Sequence, residues 1–458
     1  MTALAHVALI CFPMLVLGLS LALPPRRAVL AAYVLGMLFL PEARYQFAGI
    51  PDYSKTVAIT LSTFLCVAFF DYGRLLGVRL RWFDLPILAW CITPVFSSLA
   101  NGLGLYDGLS SMLSQIFGWG LPYLMGRLYL TNAAALREAG LAVVLGALLY
   151  TPLVLYEVRM SPQLHHIFYG FHQHSFAQHI RGDSFRPMVF LQHALAVSMF
   201  LALASLIAFI LWHSGAQRRV VGVPMLALAV GLALTTMAAR SLGPTMLMVL
   251  AVGAYFALRT PTGRVALLML ILAVPVYVVT RATGLATGQW LVEALEPVAP
   301  LDRQASLALR LDSENAMLGR AWERPLLGWA GWGRYRLDEE GREVQLLDSM
   351  WVITFGRYGL IGLGAYIALL LMPAWLLYQR YRPAMLRGAG SAAATGPAIA
   401  LTLAVTFYLV DKMVNAMANP LIIMIAGGLA VCLAVQPTRR PVRQRSGPRA
   451  GVRPRPTP

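Results

Sequence analysis

The chain has 458 residues, of which 58% are hydrophobic and 12% charged, with a formal net charge of +17. That composition excludes an ordinary soluble globule, because apolar stretches long enough to cross a bilayer recur from one end to the other. Alternating barrel-type patterning is absent, so the expected fold class is all-α, a polytopic transmembrane helical bundle in which each backbone amide is satisfied within its own helix.

In chain order, spans are expected near 4–23, 28–41, 54–70, 84–100, 107–126, 139–157, 188–211, 220–238, 242–258, 265–281, 349–378, 397–411 and 416–436. That makes about thirteen; span 28–41 is short and 107–126 carries Ser, Gln and Gly, so twelve is the alternative. The first lacks a charged leader and a small-residue cleavage site and reads as a retained helix. Cys11, Cys66, Cys91 and Cys432 lie in or beside apolar spans as small hydrophobes, implying neither disulfide nor zinc site. Residues 1–436 therefore form the membrane domain. The tail 437–458, with seven arginines among prolines and glycines and no acid, reads as disordered. Its charge suits a topology determinant or anionic lipid rather than nucleic acid.

Basic connections occur at Pro24 to Arg27, Arg74 to Arg81, Arg127 to Arg137, Arg218-Arg219, Arg259 to Arg264 and Arg380 to Arg387. They alternate with connections lacking excess positive charge, so the basic set and the tail are expected in the cytoplasm. Two long connections fall on the far side, at about 159–187 and 282–348. Long loops on a rigid scaffold carry function more often than short ones.

The first of these holds five of the eight histidines, and His165, His172 and His179 recur every seven residues, as if on one helix face. No carboxylate or cysteine set accompanies them, so polar loop composition explains them and no metal is expected, although their titration could tune a cationic site. Arg186, at the start of a span, and Arg240, in the tight connection Ala239-Arg240-Ser241, stand away from the cytoplasmic side. With Arg310 and Asp348 they form a constellation suited to phosphate, which a guanidinium grips bidentately without losing charge. Each alone could instead snorkel to headgroups. Several arginines plus one base, without a metal motif or nucleotide loop, suit transfer from a lipid diphosphate with no cofactor.

The run from Arg310 to Tyr335, with Pro325-Leu326-Leu327-Gly328 inside it, resembles the O-antigen ligase and O-antigen polymerase superfamily. So does Asp348-Ser349-Met350-Trp351-Val352 leading into Arg357-Tyr358-Gly359-Leu360-Ile361-Gly362. Arg240 resembles the family's arginine at an outer helix end, and Phe185-Arg186-Pro187 through His193 sits where another of its helices begins. The resemblance implies a bacterial inner-membrane, metal-independent glycosyltransferase acting at the periplasmic face. Its partners would be a polyprenyl-diphosphate-linked oligosaccharide, an acceptor glycan, membrane lipids and possible chain-length and export proteins. It makes Asp348 the base and fits Arg186, Arg240 and Arg310 as the diphosphate ligands; Trp329, Trp332 and Tyr335, whose rings could stack on sugars, and His193 are the candidate sugar contacts. Two positions depart from the family: Asp348 stands for its histidine and Arg357 for its frequent glutamate, which favours a polymerase of repeat units over a ligase. Asp348 also has an alternative reading as a helix N-cap. Trp329, Trp332 and Tyr335 can equally belong to an interfacial belt. Asp411, Lys412, Asn415 and Asn419 read as a local polar turn. A transporter or flippase of the lipid-linked oligosaccharide is the alternative; it should show inverted repeats and charges within several spans.

Overall fold

The computed structural model describes residues 1–47, 51–181, 184–286, 288–297, 301–336, 349–386 and 388–435. It is a polytopic helical bundle, with three two-residue antiparallel strand pairs as its sheet content among the described residues. The helices of the first half are α1 (Ala3–Ala22), α2 (Pro25–Phe39), α3 (Lys55–Phe70), α4 (Tyr72–Leu76), α5 (Leu85–Ala100), α6 (Gly104–Gln115), α7 (Leu121–Tyr129), α8 (Ala133–Met160) and α9 (Leu164–Tyr169). The second half continues with α10 (Ala194–His213), α11 (Met225–Ala238), α12 (Leu242–Leu258), α13 (Gly263–Ala282), α14 (Gln289–Leu295), α15 (Leu301–Trp322), α16 (Met350–Arg380), α17 (Ala389–Asp411) and α18 (Pro420–Ala434).

Among the described residues seven segments are long and apolar enough to cross a membrane, and four apolar helices are shorter. The chain is thus a multi-pass membrane protein. In α1 the buried Ala5, Leu9, Phe12 and Val16 form one stripe, while Val7, Ile10, Met14 and Leu21 stay exposed, as a helix between protein and lipid requires. Helices α10 and α17 are buried on nearly all sides and form the centre.

The basic connections meet at one end of the bundle. There Arg26 pairs with Glu138 at 2.7 Å, Arg137 reaches Gln217, Arg380 donates to Ala434 O, and Arg264 covers the Tyr378 ring. The opposite end carries the first residues and both long connections: Thr2 Oγ1 donates to Phe168 O, and Met350 N to Lys412 O at 3.1 Å.

Several spans differ from the sequence expectation. The span placed at 188–211 begins as a helix only at Ala194, because residues 188–191 have other partners. Glu157 accepts from Leu164, Met188 and Val189 N–H at 2.9, 2.8 and 2.7 Å. Tyr150 Oη accepts from Phe190 N–H, buried Lys55 Nζ donates to Phe190 O, and Gln173 Nε2 donates to Val189 O and Leu191 O. A non-helical backbone is tolerated at this depth because side chains take over its hydrogen bonds. Segment 107–126 becomes α6 and α7 joined by a π-helical turn over Ile116–Gly120.

Helix α16 breaks at Gly359 (φ 66°, ψ −166°), where Pro325 to Ala330 packs backbone to backbone against Gly356 to Ile361. Trp329 N donates to Gly356 O at 2.8 Å and Leu360 N to Pro325 O at 2.7 Å. A Cβ on Gly359 would lie 2.3 Å from Leu326 C and O, and one on Gly328 would lie 2.5 Å from Arg357 C. The two glycine motifs of the sequence are the two halves of this close approach.

Candidate functional site

The end that bears the long connections contains a cavity of about 890 Å³ between α12, α13 and α17, closed above by α14 and α15. Its lower walls are apolar, including Leu247, Val274 and Val410, while Met246, Leu250 and Val276 line it and are also exposed. The cavity therefore opens sideways, where lipid chains would stand. Its upper end is polar: Arg186, Ser241, Tyr277, Trp290, Arg310, Asp411 and Asn415.

Arg186 is 4% exposed, and its Nη2 donates to Ser241 Oγ at 3.0 Å. Ser241 Oγ in turn lies 2.8 Å from Ser198 Oγ on α10, so two helices fix the guanidinium. Asp411 Oδ2 accepts from Lys412 Nζ at 2.6 Å and its Oδ1 from Asn415 Nδ2 at 2.7 Å. The turn is local, as the sequence implied, yet it also lines the cavity. Arg240 differs: it closes the α11 to α12 turn in the left-handed conformation (φ 51°), is exposed, and lies outside the lining that Arg186 and Arg310 share. Two of the three expected arginines thus converge.

Asp348 lies outside the described residues. The chain resumes at Ser349, which occupies the N-cap position of α16; its side chain makes no cap hydrogen bond and instead its hydroxyl donates to Glu314. Glu314 is 2% exposed and also accepts from Arg281 Nη2 at 2.9 Å. Burial raises the Glu314 carboxyl pKa, opposed by the Ser349 hydrogen bond and by Arg281. This Arg281, Glu314 and Ser349 network joins α13, α15 and α16, and sequence reasoning missed it. The available signals were an acid at helical spacing from Leu311, Met317 and Leu318 on α15 and an arginine in the last turn of a span.

The histidines do not form the expected heptad face. His165, on α9, is a structural residue, with Nε2 accepting from Glu42 N at 3.2 Å and Nδ1 meeting Phe171 O at 2.8 Å. Burial, its largest influence, lowers its pKa. His172 stacks on His166 with centroids 4.7 Å apart. The real cluster is His174, His179 and His193, with centroids 4.7 to 5.6 Å apart and one ring nitrogen from each within 4.8 Å of the others. His193 Nδ1 accepts from Leu195 N–H at 3.1 Å as the N-cap of α10. Its neutral ring therefore carries the proton on Nε2, leaving no lone pair there for a metal, whereas metal-bound histidines normally donate through the second nitrogen. Burial, then Arg186, His179, His174 and Arg310, push its pKa down to about 2. The arrangement suits neutral, hydrogen-bonding imidazoles beside two guanidiniums better than a divalent cation.

The aromatic candidates separate sharply. Trp329 is 8% exposed, its faces covered by Arg320 at 3.5 Å and Arg324 at 4.5 Å from the ring centroid, and Tyr335 is 6% exposed against Gly356. Neither presents a ring to a ligand; both hold the loop. Trp332 is 78% exposed, in a left-handed conformation (φ 62°), with Nε1 donating to Asp107 Oδ2 at 3.3 Å.

Fold and site together define a polytopic helical membrane protein with an arginine-headed, laterally open cavity. No protein-family model matches the chain, and no curated protein matches it.

Proposed function

We propose that the protein is an integral-membrane glycosyltransferase that moves an oligosaccharide from a polyprenyl diphosphate to an acceptor sugar, polymerising repeat units at the periplasmic face of the inner membrane. The observation that carries this reading is the cavity itself: an apolar trough open to lipid, ending at Arg186 and Arg310. A polyprenyl chain fits the trough by its chemistry, and a diphosphate fits two guanidiniums that would take up the leaving charge. Asp348, in the sequence position where the resembling family carries its base, would remove the acceptor hydroxyl proton, a contribution of about 10² to 10⁴ in rate. Ser349, its neighbour, is anchored through Glu314 to α15, the helix that carries Arg310.

The transporter reading is less well supported. Ionisable residues buried among the described helices, such as Lys55, Asp84, Glu157, Arg281 and Asp411, sit at helix ends. A carrier that passes a charged group through the bundle needs polar positions at mid-depth.

The test is retention of a polyprenyl diphosphate by purified protein in nanodiscs. Replacing Arg186 or Arg310 with Lys should weaken retention about 10-fold to 100-fold, from loss of a charge-assisted pair worth about 1.5–3 kcal/mol. Arg240→Lys should retain it. Asp348→Asn should bind donor normally and lose about two to four orders of magnitude in transfer. Equal retention by all arginine variants, or of the uncharged polyprenol, would overturn the reading.

A further inference from the structure

A second cavity, about 700 Å³, opens at the same end of the bundle on the other side of the connection between α17 and α18. Asn415 belongs to the arginine-headed cavity, whereas Ala418 and Pro420, a few residues on, line this groove. Its character is opposite to that of the first cavity.

One wall is a face of α6. Asp107, Ser110, Ser111 and Ser114 follow at helical spacings of three and four, so their hydroxyls and carboxylate form one polar stripe. In a helix of a membrane bundle such a stripe has to face either protein partners or water, and here it faces the groove. Tyr106 and Trp332 stand over it, 63% and 78% exposed. Trp332 is held in place by Asp107 in a backbone conformation that non-glycine residues seldom adopt, and strain of this kind concentrates at ligand sites. The floor is the π-helical turn over Ile116–Gly120, a distortion that also favours functional positions. Arg357 completes the wall, and its Nε is buried with no hydrogen-bond partner.

A row of hydroxyls, a carboxylate, a guanidinium and two exposed aromatic rings is a set matched to one ligand chemistry. Sugar rings present an apolar C–H face to an aromatic and a rim of hydroxyls that both donate and accept. Ser114 Oγ already donates to Ser110 O at 3.0 Å, but a lipid chain would offer the Ser110 and Ser111 hydroxyls and the Asp107 carboxylate no polar partner, at a cost for each orphaned group. We infer that this groove binds an oligosaccharide, stacked on Trp332 and hydrogen-bonded along the serine face of α6. Its identification as the acceptor glycan rests on the transferase reading above; the binding of a glycan does not.

The experiment displays the full chain in nanodiscs to a printed panel of defined oligosaccharides covering neutral, amino and uronate-bearing chains. At least one class should bind above empty nanodiscs. Trp332→Ala, which removes an exposed side chain, and Ser111→Trp, which fills the groove without removing an aromatic, should each reduce that binding at least 10-fold. Trp332→Phe should keep part of it through the remaining ring. Thermal melting checks that each variant is folded, and Trp332→Ala alone decides the matter if Ser111→Trp is not. Binding of no member of the panel, or binding undiminished in the folded variants, overturns the proposal. Polyprenyl diphosphate retention reports the other cavity separately, so failure of the groove and failure of the transferase reading are distinguishable.

Discussion

Removing the Glu157 carboxylate should release the segment that carries Arg186 and His193. Three backbone N–H groups converge on it: Leu164 on Oε1, Met188 and Val189 on Oε2. The residue is 1% exposed, so water cannot readily replace the carboxylate, and Val189 sits in the left-handed region (φ 51°), which requires external support. A hydrogen bond to a charged group is worth about 1.5–3 kcal/mol, and an orphaned buried donor costs about 1–3. With allowance for relaxation, Glu157→Ala should lose about 4 kcal/mol. Glu157→Gln is the informative partner. Its one remaining oxygen can serve Met188 and Val189 together, but the amide nitrogen then confronts Leu164 N–H, so about 2 kcal/mol should be lost. Apparent melting temperature in detergent, with limited proteolysis of residues 161–193, gives the order parent, Gln, Ala. Polyprenyl diphosphate retention should fall in the same order, because Arg186 loses its placement. A Glu157→Ala protein that melts like the parent would refute the anchoring argument.

The low pKa of His193 implies acid sensitivity. Below about pH 6.5 the unfolded imidazole takes up a proton that the folded ring refuses until about pH 2, so the unfolded state binds more protons and stability falls as pH falls. Asn can accept from Leu195 N–H as the histidine does, so His193→Asn should match the parent at pH 7 and exceed it by about 2 kcal/mol at pH 5; parallel pH profiles would sink this account. Gly359→Ala should cost at least about 3 kcal/mol, from a forbidden backbone region plus contact with Leu326, whereas Gly364→Ala, facing open space in the same helix, should be neutral or slightly stabilising. Membrane yield and melting temperature of the two variants check the contrast.

The spans were legible because a continuous apolar run has few alternatives in lipid, and the two ends of the bundle because arginines collect at one of them. What the sequence hid depends on partners far apart in the chain. Met188 to Leu191 reads as the first turn of a helix; only Glu157, Tyr150, Lys55 and Gln173, brought in from elsewhere, hold it otherwise. Heptad spacing misled for the histidines because no single helix runs through 165–179: of His165, His172 and His179 only His179 joins the cluster, with His174 and His193. Trp329 and Tyr335 share a loop and a composition with Trp332, and nothing local tells that Arg320 and Arg324 cover one ring while another stands free. The serines of α6 weakened 107–126 as a span; that weakness was the visible trace of a groove.

The placement of charge follows from the solvent. A buried ionisable group in lipid needs a partner supplied by the same fold, and partners are easiest to supply at helix ends, where caps and connections bring polar atoms. The bundle accordingly keeps an apolar middle and concentrates its ion pairs, histidines and arginines at its two ends. At the end with the long connections, the chain between α17 and α18 divides that polar material. Asp411 and Asn415 face a trough with exposed apolar walls, and Ala418 and Pro420 face a groove lined by hydroxyls. An enzyme joining a lipid-borne donor to a water-borne acceptor needs two such environments side by side, one apolar and headed by cations, one polar and aromatic. A carrier of a single lipid-linked cargo needs one path that accepts both parts of it. The division by residues 411–420 is therefore the feature of this architecture that most favours transfer over transport.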